Sequence, residues 1–145
     1  MKILKWLTSG FKTNQSLLNA GLLLLRVFSG IAMAFAHGLN KIPPSAGFIE
    51  SIGKLGFPFP VFFAWSAGVS EFFGGILLAL GLFTRPNAFF LTITMFVAFF
   101  IRHAGDPFAQ KEKAFLFLIL FLFFFIAGSS RPSLDEVIRS KWLRG

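Results

Sequence analysis

Cysteine and tyrosine are both absent from the 145 residues, and acidic residues number only six. Without cysteine the chain forms no disulfide, no thiolate metal site and no dithiol relay, so any redox chemistry needs a bound cofactor or a partner. Charged residues are held to 14% while hydrophobic ones reach 55%, which leaves too little polar side chain to clothe a soluble domain of this length. No nucleotide-binding glycine loop, nucleophile elbow or zinc-ligand spacing occurs either, so the usual signatures of a self-contained enzyme or a metal site are missing.

What is present in excess is phenylalanine, 23 copies, together with a net charge of +8. The charges cluster between four apolar runs instead of marking one face of surface helices, the pattern of a small polytopic membrane protein folded as a single domain over 1–145. Because the basic residues flank apolar segments and form no separate basic domain, they point to the lipid bilayer and its anionic head groups, not to nucleic acid. The runs lie at about 16–37, 61–83, 86–103 and 113–128, with a tail over 129–145. At ~1.5 Å per residue the first two each cross the ~30 Å hydrocarbon core. The last two are expected to span with little tilt, Arg102 and Lys113 snorkelling to the interface. Pro86 suits a first helical turn, and Gly128 and Pro132 suit a helix end. The first run also imitates a signal peptide ending in Ala34-Phe35-Ala36, but Arg26 breaks its apolar core and the run is long for such a peptide, which favours a retained helix.

Eight Lys and Arg flank the runs on one side (Lys2, Lys5, Lys12, Arg85, Arg131, Arg139, Lys141, Arg144) and five on the other (Lys41, Lys54, Arg102, Lys111, Lys113), so both termini are predicted cytoplasmic. In the first loop, Phe48, Ile49, Ile52 and Leu55 fall at helical spacing opposite Glu50, Ser51 and Lys54, which predicts a short helix in the outer interface, stopped by Pro58 and Pro60. Near the C-terminus, Ser133 followed by Glu136 reads as a capping box that starts a basic amphipathic helix carrying Trp142, expected to rest on the inner leaflet.

Two charges fall inside apolar runs. Arg26 and Glu71 each lie about ten residues into their helices, and since these helices run in opposite directions the two charges are expected to meet near the midplane. Ala64, Gly68 and Gly75, with Ala67 and Gly74 beside them, form a stripe of small residues around Glu71 that lets another helix approach. The plainer reading of Arg26 and Glu71 is a salt bridge that only specifies helix pairing. His37 shares the Arg26 face through Gly30 and Met33. On the same predicted side, His37, Arg102, His103, Asp106 and Glu112 are geometrically able to form a polar cluster, although each taken singly reads as an interfacial residue. Two histidines on neighbouring helices are the whole case for haem, which is not expected.

In order along the chain, "LLLLRVFSGIAMAFAHGLNKI", "LGFPFP", "WSAGVSEFFGGILLALGLFTRPNAFF", "RHAGDPF", "EKAFLFLILFLFFFIAG" and "SLD" resemble the DoxX family of small four-helix bacterial membrane proteins. The most specific part is Glu71 followed by Gly74, Gly75 and the Gly81-Leu82-Phe83-Thr84-Arg85 turn. By position, the polar residues matching the family pattern are Arg26, His37, Lys41, Glu71, Arg85, His103, Asp106, Glu112 and Asp135; "GSSRPSLD" stands where many relatives have a glycine-rich turn. Relatives are similar to the small membrane subunit of thiosulfate:quinone oxidoreductase or look like membrane partners of redox or detoxifying enzymes. The resemblance implies a quinone-facing membrane subunit and a partner redox enzyme.

The expected fold is all-α, a bundle of four transmembrane helices in the bacterial inner (cytoplasmic) membrane with the two extra helices above. The leading functional expectation is a redox-associated subunit that holds a quinone or similar lipophilic ligand, with Arg26 and Glu71 at the polar end, phenylalanines of the third and fourth helices as walls, and His37 or His103 bonding a carbonyl. The rival is a non-enzymatic scaffold or assembly subunit for a partner enzyme. A third is a transporter with Glu71 as proton carrier, which four helices would serve only as a homo-oligomer.

Overall fold

The computed structural model describes residues 14–142, which contain helices and no strand. Lys2, Lys5, Lys12 and Arg144, counted in the orientation argument, lie outside the described residues. Helix α1 runs Gln15–Lys41, α2 Ala46–Lys54, α3 Pro60–Leu80, α4 Thr84–Arg102, α5 Phe108–Ala127 and α6 Leu134–Trp142. Helices α1, α3 and α4 are each long and apolar enough to cross a membrane. Helix α5 holds Lys111, Glu112 and Lys113 near its start, so only the part after Lys113 is continuously apolar.

The ends of the helices follow local chemistry. The Asn14 side chain accepts the Ser16 N–H at 3.1 Å, Ser45 accepts from Phe48 and Ser133 from Glu136 (both 3.2 Å), and Pro60 opens α3 where its missing N–H costs nothing. Gly81, at φ 67°, ends α3 in the left-handed conformation that glycine adopts without strain.

Helices α1 and α3 cross at Gly30 and Gly75. A methyl group on Gly30 would lie 2.5 Å from the Gly75 carbonyl oxygen, and one on Gly75 would lie 2.7 Å from that of Gly30. Backbones this close leave no room for a side chain, and close packing is how helices associate where the surrounding lipid is as apolar as the helix face. Gly68 has the same role toward Lys41, and Gly74 meets Leu91 at ordinary contact distance, so the stripe of small residues does serve close approach. On the other side of the bundle α4 and α5 pack along their lengths, and Met33, Leu78, Leu91, Met95, Leu118, Phe121 and Phe124 form the core between the pairs. Leu24, Phe28, Phe62, Phe73, Phe90, Phe96, Leu116 and Ile126 remain exposed on the outer faces, the apolar belt of a protein solvated by lipid.

Each of α1, α3 and α4 widens to π-helical pitch over one segment: Ala32–Gly38 near the end of α1, Ser70–Gly74 in the middle of α3 and Ala98–Arg102 at the end of α4. The first two pack on each other. Such segments are uncommon and recur at functional sites, because the extra residue per turn turns side chains away from the regular helical face.

If the Gly30–Gly75 crossing fixes the pairing of α1 with α3, Gly75→Val should destabilise the protein by ~1–3 kcal/mol or more through overpacking. Gly47→Ala, with open space around it, should stay within ~0.5 kcal/mol. Thermal melts followed by circular dichroism in detergent measure both.

Candidate functional site

The crossing at Gly30 and Gly75 also sets the register of every other α1–α3 contact. Running away from it in one direction, Gly38 comes against Glu71 and Phe72; in the other, Arg26 comes against Gly81. Arg26 and Gly38 are twelve residues apart, or ~18 Å along a helix. The expected Arg26–Glu71 contact therefore does not form. Equal distance from the helix starts is a poor guide to depth, because the crossing point sets the axial offset.

Glu71 is 1% exposed and takes Lys41 as its partner, the ammonium donating to both carboxylate oxygens at 2.6 and 2.5 Å. Lys41 closes α1, and its side chain keeps 29% of its surface exposed. It reaches Glu71 because its backbone lies directly on Gly68, one turn before the carboxylate; a methyl there would come within 2.7 Å of the Lys41 carbonyl oxygen. A carboxylate in this setting needs a cation, and replacing one member of a buried pair typically costs ~3–5 kcal/mol.

Arg26 is equally buried and has different partners. Its guanidinium donates to the carbonyls of Ser130 at 2.9 Å and Pro132 at 2.8 Å, and its Nε has no partner among the described residues. Asp135 supplies the opposing charge nearby. That carboxylate in turn accepts the N–H groups of Phe83 at 2.7 Å and Thr84 at 3.0 Å, while the Asp135 N–H donates to the Gly81 carbonyl at 2.8 Å. Phe83 sits at φ 47°, a left-handed conformation strained for a bulky side chain. Asp135 thus caps α4 from a distant segment and holds that strained turn. Gly81 must be glycine twice over, for its positive φ and because a methyl would lie 2.8 Å from the Arg26 Cζ. Arg85 closes the neighbouring end of α5, donating to the Ile126 carbonyl at 3.3 Å.

Of the cluster expected from sequence, His103 and Asp106 meet, and the others have separate neighbours. His37 packs edge-on against Phe117, ring centroids 5.7 Å apart. His103 Nδ1 lies 2.6 Å from Asp106. Arg102 lies over the Phe48 ring, 5.7 Å from its centroid. Glu112 is exposed on α5.

A cavity of about 290 Å³ opens beside the Lys41–Glu71 pair. Its walls come from α2 (Phe48, Ile52), the following turn (Leu55, Phe57), α3 (Phe63, Ser66, Ala67, Ser70, Glu71) and α4 (Phe90, Ile93, Thr94, Val97, Ala98, Arg102). Of its charged lining residues, Glu71 is buried and Arg102 exposed. Neither histidine, Arg26 nor any residue of α5 lines it. Sequence reasoning missed both Lys41 as the partner of Glu71 and α2 as a wall. Ser66, Ser70 and Thr94, polar in otherwise apolar helices and with Ser70 and Thr94 joined at 3.2 Å, were the legible signal of this face.

This arrangement makes the coupling explicit. In a double-mutant cycle, Lys41→Met and Glu71→Leu should each cost ~3–5 kcal/mol alone and far less than the sum together. Arg26→Met and Glu71→Leu should be additive within ~0.5 kcal/mol, since the two share no partner. Denaturation in mixed micelles reads out both cycles.

Comparison with known proteins bears on what the site belongs to. No solved structure matches the chain. An uncharacterized protein of Haemophilus influenzae is 43% identical over 77 residues, 48% of this chain and 58% of its own length, so the chain spans little more than half of that relative. A Bacillus subtilis protein named "Putative oxidoreductase CatD" is 33% identical over 119 residues, 81% of this chain and 87% of its own. The inner membrane protein YqjF of Escherichia coli is 28% identical over 133 residues, 86% of this chain and 96% of its own. The family model described as DoxX matches residues 21–104, a stretch that contains Arg26, His37, Lys41, Glu71, Arg85 and His103. The chain is a membrane protein of the DoxX family.

Proposed function

We propose that the chain is a redox-associated subunit of the bacterial cytoplasmic membrane that holds a quinone or similar lipophilic ligand in the cavity beside Lys41 and Glu71. The observation that carries this reading is the cavity itself: apolar and aromatic walls, a volume near the lower end of small-molecule pockets, and a few polar groups in its lining. A lipid-soluble ring lies well against Phe48, Phe57, Phe63 and Phe90, and the Lys41 ammonium, with a hydrogen left over from its two bonds to Glu71, is placed to donate to a carbonyl. The name carried by the Bacillus relative agrees with a redox setting. In the absence of cysteine, electrons would enter and leave through the ligand and a partner enzyme.

The membrane arrangement belongs to the same proposal. Helix α5 serves as a fourth span with Lys111 and Lys113 at the interface, α2 lies in the outer interface and α6 at the inner one, and both termini face the cytoplasm. The positive-inside excess of eight to five supports this orientation.

The other reading, a non-enzymatic scaffold for a partner enzyme, is favoured by one specific observation. Arg26, Arg85 and Asp135 spend their hydrogen bonds on backbone groups of this chain, as residues that only hold helices together would. The two readings separate experimentally. A short-chain quinone analogue should raise the melting temperature of the wild type by mass action, and Ala67→Phe, which fills the cavity from α3, should abolish that shift without lowering the ligand-free melting temperature by more than a few degrees. No shift with any quinone tried would favour the scaffold. Topology has its own check: a cysteine at Ser45 should react with an impermeant thiol reagent from outside, and one at Ser140 only after permeabilisation.

A further inference from the structure

The charges around the cavity say more about its occupant than its volume does. Three ionisable side chains line it: Lys41, Glu71 and Arg102. The Lys41 ammonium bonds both oxygens of Glu71, so this pair is close to neutral as a unit. Arg102 is left as the uncompensated charge, and the cavity carries a net of one positive charge. Lys41 and Arg102 are also drawn together on one ring: the Lys41 Nζ lies 5.6 Å and the Arg102 guanidinium 5.7 Å from the centroid of Phe48. Their separation is bounded by the sum of those distances. With Lys41 balanced by Glu71, a negative oxygen at this ring would be drawn to the Arg102 guanidinium and would accept the remaining Lys41 N–H, next to low-dielectric walls that strengthen the attraction. His37 lies within electrostatic reach of Glu71 and Lys41 and does not line the cavity.

We infer that the cavity selects amphiphiles whose head carries a single negative charge on oxygen, held between Lys41 and Arg102 over Phe48, with the apolar body along Phe63, Phe90 and Val97. This deepens the ligand reading given under Proposed function and rests on it. The chemistry is that of an ionised acidic quinone or of a fatty carboxylate. The aromatic lining favours a ring, which stacks where an alkyl chain does not.

A matched pair of probes isolates the charge. A 2-hydroxy-3-alkyl-1,4-naphthoquinone is a vinylogous acid ionised at pH ~8, and its methyl ether has nearly the same shape but no charge. Titrated against the full chain in detergent by fluorescence or calorimetry, the hydroxyquinone should bind at least ~10-fold more tightly than the ether. Arg102→Gln, at an exposed position, should reduce that preference ~3- to 10-fold while leaving the affinity for the ether unchanged. Palmitate, anionic but without a ring, should bind more weakly than the hydroxyquinone. Palmitate binding as tightly as the hydroxyquinone would keep the charge rule and remove the ring preference. Equal affinity for the two naphthoquinones, or a preference untouched by Arg102→Gln, would overturn the inference and leave the cavity as a site for neutral lipophiles. Binding of neither naphthoquinone would instead count against the ligand reading on which it rests.

Discussion

The close crossing of α1 and α3 at Gly30 and Gly75 is the contact on which the arrangement of charges depends. It fixes one axial offset between the two helices, and that offset decides which residue faces which along both. On one side of it Lys41 is delivered to Glu71 over Gly68; on the other, Arg26 is delivered to Gly81 and the Ser130–Pro132 carbonyls. A side chain at either glycine would force the backbones apart and disturb both ends together. Two polar centres so far apart share one cause.

The two ends solve the same physical problem in different ways. An ionised group inside an apolar bundle has to find hydrogen bonds within the protein. At one end Arg26 finds backbone carbonyls, and Asp135 finds the N–H groups of a strained turn, so the charges are consumed in joining the C-terminal segment to the α3–α4 turn. At the other end the ion pair is only half enclosed. Lys41 remains partly exposed, the cavity opens beside it, and the π-helical turns of α3 and α4 direct Glu71 and Arg102 toward that space. The first end is built as a joint; the second retains unused hydrogen-bonding capacity, as a binding site requires.

Apolar run length was a good guide to the helices: the runs at 16–37, 61–83 and 86–103 correspond to α1, α3 and α4. Their ends were misplaced by a few residues where the chain does not stop at the apolar boundary, most of all in α1, which continues through His37 to Lys41. The small residues on α3 were also readable, since glycines on one face of an apolar helix have few purposes other than close approach. Partner choice was not readable. Arg26 and Glu71 looked matched because each lay at a similar distance from its own helix start, whereas the offset is set by Gly30 and Gly75 and cannot be counted from the ends. Lys41 was legible as a position matching the family and not as the counterion of Glu71, because it lies beyond the end of the apolar run at 37 while the helix continues to reach it. The cavity was invisible for a related reason: it forms only where three successive helices pack, and the spacing of α2 marks an apolar face without saying whether that face meets lipid or the bundle.

The most direct test of a ligand site beside Lys41 and Glu71 is to identify what the protein carries out of its own membrane. Wild type and Ala67→Phe would be extracted with native lipid, and the small molecules released on denaturation quantified per chain by mass spectrometry. A lipid-soluble quinone near one per chain in the wild type, and depleted in Ala67→Phe, is the predicted result. The same bulk phospholipids in the same amounts from both proteins, with no quinone enriched in either, would contradict it.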